Sequence, residues 1–158
     1  MRADLDRFRK ELGTDYLDIC LMHCVTEADW TTQFRGARDV LSEAKQKGII
    51  RAHGCSCHSL EALRAAAKSP WVEIDLARFN PVGAYMDADP ATVLSVLKEM
   101  KAAGKAVVGM KILGQGQLTK RQDEAIKYAL SSGVLDAFTI GAESKQEQED
   151  LVRRIAAA

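Results

Sequence analysis

The chain has 158 residues and balances 22 Lys and Arg against 22 Asp and Glu, for a formal net charge of zero. That length holds about one domain with a core of its own, and the balance excludes the clustered basic footprint that nucleic-acid binding needs. No apolar run approaches the roughly 18 residues of a membrane span, and Met1-Arg2-Ala3-Asp4-Leu5-Asp6 lacks the apolar stretch of a secretion signal.

The expected compartment is therefore the cytosol, where Cys20, Cys24, Cys55 and Cys57 are expected as thiols. Residues 2–12 put Leu5, Phe8 and Leu12 on one face at helical spacing, and Gly13 can end that helix. Tyr16 to Met22 reads as a buried strand. A helix over 33–47 follows and stops at Gly48, and Ile49 to Cys55 is the second strand. Ser59 caps a helix through Lys68. Trp71 to Ala77 reads as the third strand. Pro90 suits the first turn of a helix that Gly104 ends. Ala106 to Ile112 is the fourth strand. Thr119 caps a helix to Leu130, Leu135 to Ile140 is the fifth strand, and Ser144 opens a last helix to about Ala156.

Strand starts recur about every thirty residues, the size of a βα unit. The chain is thus an α/β protein with five parallel strands and about six helices. It shows no linker or low-complexity run, so 1–158 reads as a single domain. Periodicity alone does not separate a curled partial barrel from an open doubly wound sheet. In both, chemistry gathers at the carboxyl ends of the strands. Those ends carry His23-Cys24, Ser56-Cys57-His58, Arg78-Phe79-Asn80, Lys111 with Gly114-Gln115-Gly116, and Gly141 to Ser144.

These residues resemble the aldo-keto reductase family. The resemblance runs through Leu12 to His23, Gly48 to Ser56, Phe79-Asn80-Pro81, Leu113 to Leu118 and Thr139 to Ser144. Five pieces in the right order cover essentially the whole chain. The family's members are eight-stranded TIM barrels that transfer hydride from NADPH or NADH to a carbonyl. The resemblance implies a partial TIM barrel lacking the family's first three strands. Those strands carry the family's catalytic aspartate, tyrosine and lysine, for which no residue here is a counterpart. Whether Met1 is a natural start or a boundary inside a longer enzyme stays open.

The same resemblance assigns roles. His23 is the counterpart of the catalytic histidine, which hydrogen-bonds and polarises the carbonyl. Ser56 matches a position that holds the cofactor's carboxamide. Cys57 stands where the family carries asparagine, Leu76 where it carries glutamine, and Met110 where a usually aromatic residue stacks on nicotinamide. Lys111 lies beside that point and can offer charge to a phosphate. The Gly114-Gln115-Gly116 turn and Ser144 match positions that hold the pyrophosphate and the adenosine phosphate. NADP and NAD are both open, because no Arg for a 2′-phosphate stands near Ser144 and only Lys145 can serve.

The expected function is an aldo-keto-reductase-like oxidoreductase segment, weak or inactive alone, with a small carbonyl compound as substrate. The alternative is a non-catalytic module that binds nucleotides or self-associates. A third reading joins Cys24, Cys57, His58 and His23 in a zinc site; the site set itself contains no metal. Cys20, Cys55 and His53 are expected to face helices. A five-stranded arc leaves two open sheet edges, so a homo-oligomer in which two copies cover each other is also expected.

Overall fold

Small and polar residues punctuate the fold where the sequence puts them. Gly13 adopts φ 64° and closes α1 (Arg2–Leu12). The Ser59 hydroxyl caps α4 (Leu60–Lys68) by accepting the Ala62 N–H. Asp89 caps α5 (Pro90–Ala102), with Pro90 in its first turn, and Ser144 caps α7 (Lys145–Ala157). The computed structural model describes residues 1–158. The remaining elements are β1 (Leu17–Val25), α2 (Trp30–Gln33), α3 (Arg35–Gln46), β2 (Ile50–Cys57), β3 (Ile74–Arg78), β4 (Ala106–Met110), α6 (Gln122–Ser131) and β5 (Ala137–Phe138).

The strands are parallel and pair in the order β1-β2-β3-β4-β5. Seven helices stand where about six are expected, because a short turn, α2, precedes α3. The strand boundaries also differ. β1 and β2 run on to Val25 and Cys57. β3 starts only at Ile74, because Trp71 spends its indole on packing outside the ladder. Thr119 caps no helix: its hydroxyl donates to the Gly116 carbonyl, and α6 begins three residues later. The chain forms two compact units, Met1–Asp75 and Leu76–Ala158. The division falls inside β3, where the composition gives no sign of a boundary.

In the first unit β1 and β2 pair from Leu17 with Ile50 to Met22 with Cys55. Cys20, Met22, His53 and Cys55 therefore share one face, since side chains alternate along a strand. Helices cover that face. Trp71 stacks flat on His53 with ring centroids 4.3 Å apart and donates its indole N–H to Ser42 of α3. Trp30 is wholly buried and donates to the Ala62 carbonyl of α4. Gly54, on the other face, meets β3 so closely that a Cβ would lie 1.7 Å from the Ile74 carbonyl oxygen.

In the second unit Ile112, Leu118, Ala125 and Ala129 form a buried cluster, against which Leu135, Phe138 and Ile140 pack. Phe79 is buried and stacks on Tyr128 of α6 at 4.9 Å. Asp136 ties β5 to β4: its N–H donates to the Val107 carbonyl and its carboxylate accepts the Val107 N–H. No helix is long and apolar enough to cross a membrane.

Candidate functional site

Four non-glycine residues have positive φ: Cys24, Tyr85, Lys111 and Gln115. Cys24 lies in the last turn of β1, Tyr85 in the β3–α5 loop, and Lys111 and Gln115 directly after β4. This conformation costs an ordinary side chain about 1–2 kcal/mol and concentrates where function constrains the backbone. The strain thus falls at the strand ends that the sequence marks.

In the first unit the register of β1 on β2 shifts between Met22 and Val25. Cys24 sits in that shift with φ 59° and donates its N–H to the Ser56 hydroxyl oxygen at 2.9 Å. Ser56 is buried, so its oxygen serves the strand junction. His23 is exposed and meets His58 edge-on, with centroids 6.0 Å apart and planes at 81°.

Cys57 departs from its expected place at a cofactor. Strand alternation carries it onto the helix-covered face with Cys55, where it has no exposed surface. Its Sγ lies 3.7 Å from Cys55 Sγ and 3.3 Å from Asp75 Oδ1. The contact with Cys55, burial and the nearby carboxylate push the Cys57 thiol far up from its ordinary range. Cys57 is therefore withdrawn from the cofactor contacts. Cys24 is exposed while Cys57 is buried, and the four residues read from the sequence as a zinc set do not form a ligand group. Cys57 groups instead with Cys55 and Asp75.

In the second unit a cleft of about 530 Å³ opens beyond β4 and β5, lined among others by Met110, Lys111, Gln115, Gly116, Glu143 and Glu147. Met110 is the last residue of β4 and nearly buried. Lys111 follows with φ 59°. Buried Asn80 holds that residue: its Nδ2 donates to the Lys111 carbonyl at 3.2 Å and to the Ala84 carbonyl at 2.8 Å, while its Oδ1 accepts the Ala84 N–H at 3.0 Å.

The glycine turn differs from expectation. Gly114 and Gly116 donate their N–H groups to the Lys111 and Leu113 carbonyls at 2.8 and 3.1 Å. Both N–H groups close the turn itself. Gly114 is buried, while Gly116 lines the cleft beside left-handed Gln115. Ser144 is also engaged, accepting the Glu147 N–H at 3.1 Å. Glu147 Oε2 in turn accepts the Glu143 N–H at 2.7 Å. The N-terminus of α7 therefore already carries a carboxylate, the kind of charge it attracts.

Sequence reasoning did not single out Asn80, Glu147 or Asp75 as site residues. The signal for Asn80 is an asparagine directly ahead of Pro81-Val82-Gly83, where its side chain can bond a turning backbone. The signal for Glu147 is its place three residues after the cap Ser144. Asp75 has no local signal, since its neighbours come from another strand.

A family model described as the aldo/keto reductase family matches residues 1–156. Among solved structures, the holo form of aldo-keto reductase AKR11C1 from Bacillus halodurans superposes with a TM-score of 0.81 at 18% identity, over 99% of this chain and 61% of that one. The glycerol dehydrogenase AKR11B4 from Gluconobacter oxydans superposes with a TM-score of 0.66 at 13% identity, over 99% of this chain and 63% of that one. No curated protein matches the sequence. The chain thus spans about three fifths of the length of these structures. With the family model matching all but two of its residues, the chain belongs to the aldo/keto reductase family.

Proposed function

We propose that this chain is the cofactor-holding part of an oxidoreductase that reduces small carbonyl compounds with NADP(H) or NAD(H). The observation that carries the reading is the cleft beyond β4 and β5, with a lysine held in a strained backbone at its rim. Its volume lies in the range of small-molecule sites. Lys111 brings positive charge for a phosphate. Met110, Ile112 and Leu113 bring apolar contact. Glu143 and Glu147 oppose a second phosphate at the start of α7.

When bound, the cofactor supplies hydride to a carbonyl carbon. The chain's own residues orient it and exclude water. His23, exposed beside His58, is the residue we assign to the carbonyl oxygen. We assign no tyrosine to proton delivery in the family's manner: Tyr16 precedes β1, Tyr128 packs within α6 against Phe79, and Tyr85 lies on an exposed loop. The isolated 158 residues therefore turn over aldehydes weakly or not at all. The partner we propose is a second copy, because β1 is an edge strand whose outer backbone groups can pair with another chain.

Titration of purified protein with NADPH, followed by the cofactor's own fluorescence, tests the reading. Saturable binding that Lys111→Ala weakens about tenfold or more supports it. Binding unchanged by that substitution, or no binding at millimolar cofactor, contradicts it.

A further inference from the structure

A different chemistry sits in the first unit. The sequence Cys55-Ser56-Cys57 lies at the end of β2, so the pleat turns both thiols onto one face. Asp75 is the residue paired with Cys55 across the β2–β3 ladder, and its carboxylate projects between the two sulfurs. Cys55 Sγ, Cys57 Sγ and Asp75 Oδ1 form a triangle with sides of 3.7, 3.4 and 3.3 Å. None of the three residues has significant exposed surface.

A tetrahedral zinc ion with Zn–S of about 2.3 Å and Zn–O of about 2.0–2.2 Å separates its ligands by about 3.8 Å for S···S and about 3.5–3.7 Å for S···O. The triangle matches those edges to within a few tenths of an ångström. Two sulfurs select a soft or borderline ion, and the carboxylate favours zinc over monovalent copper. We propose that Cys55, Cys57 and Asp75 bind one zinc ion, which clamps β2 to β3.

Binding exchanges two thiol protons for one dication, so the buried group keeps the same net charge. The three donors are prearranged by paired strands, so little ordering accompanies binding. They supply three of the four tetrahedral positions. The site uses no residue of the cleft proposed for the cofactor, and the two proposals stand or fall separately.

The test uses the whole chain, reduced, stripped with a chelator and titrated with Co²⁺ without oxygen. The expected result is a thiolate-to-cobalt absorption band in the near ultraviolet. It saturates at about one equivalent and is displaced by Zn²⁺. Cys55→Ser and Cys57→Ser abolish the band, Asp75→Asn weakens metal binding about tenfold or more, and Cys24→Ser leaves it intact. Should the buried serine variants fail to fold, Asp75→Asn and the wild-type titration decide. A wild-type chain without a saturable band overturns the proposal. So do a band that survives Cys57→Ser, a band lost in Cys24→Ser, or a Cys55–Cys57 disulfide formed in place of metal uptake.

Discussion

The Asn80 side chain donates to the Lys111 carbonyl at 3.2 Å, so a buried residue after β3 holds the left-handed residue that follows β4. Both groups line up through local bonds of the second unit. The same asparagine also closes the loop onto Ala84. Asn80→Ala removes these bonds and leaves buried backbone groups without their partner. A loss of about 2–4 kcal/mol in urea unfolding is expected, since each such group costs about 1–3 kcal/mol. Asn80→Asp keeps the acceptor but turns a buried carboxylate toward the Ala84 and Lys111 carbonyls, so it is expected to lower stability at least as much as Asn80→Ala.

Gly54 faces β3 at a distance no side chain can share. A methyl group there would lie 1.7 Å from a main-chain carbonyl oxygen, which cannot rotate away. Gly54→Ala is expected to cost roughly 4 kcal/mol or more, in the range of the most damaging single changes. Circular dichroism melts against Gly48→Ala, where a Cβ meets nothing within 4 Å, check this. Gly48 has φ 70° and costs only the backbone strain of about 1–2 kcal/mol.

The Glu147 carboxylate occupies the start of α7 by accepting the Glu143 N–H at 2.7 Å. Glu147→Gln removes a negative charge from the cleft while keeping an acceptor. Affinity for NADPH is expected to rise several-fold, and the gain shrinks with salt as screening sets in. Thermal stability falls by under about 1 kcal/mol, the usual worth of a charge at a helix terminus. Titrations at low and high salt read both effects.

Two groups among several contribute to the decline of stability on the acid side. Burial lowers the His53 pKa from its ordinary 6.5, so the unfolded chain binds that proton first. The stability of the first unit is full above pH 6.5 and falls as pH drops through the lowered folded value. His53→Gln flattens that limb. In the second unit the Lys101 ammonium and the Val107 N–H hold the Asp136 carboxyl below its ordinary 3.8. Its contribution is present above pH 3.8 and is lost as pH falls through the folded value. Urea midpoints against pH, with Asp136→Asn as the second variant, separate the two contributions.

The elements were legible where chemistry is local. Ser59, Asp89-Pro90 and Ser144 cap helices through groups two or three residues away, and the apolar runs of β1, β2 and β4 mark strands. Trp71 misleads because its apolar ring looks like strand core, yet it stacks on His53 and bonds Ser42, both distant in sequence. Thr119 misleads because a hydroxyl ahead of a helix can serve a turn equally well. Leu135 and Ile140 look like strand residues but pack beside β5 onto the Ile112 cluster. At the site, Met110 ends β4 and Lys111 follows it, so both stand at a strand's carboxyl end, where the sequence reading looks for chemistry. The burial of Cys57 is not legible, since the apolar run suggests a strand ending at Cys55, whereas β2 runs on to Cys57 and carries it onto the same face. Its partner Asp75 becomes visible only once β2 and β3 are in register.

Hydrogen–deuterium exchange with and without saturating NADPH tests the central claim most directly. The account predicts slowed exchange in residues 110–119 and 139–147, the two segments that line the cleft. Protection absent from both segments, or confined to residues 1–75, contradicts it.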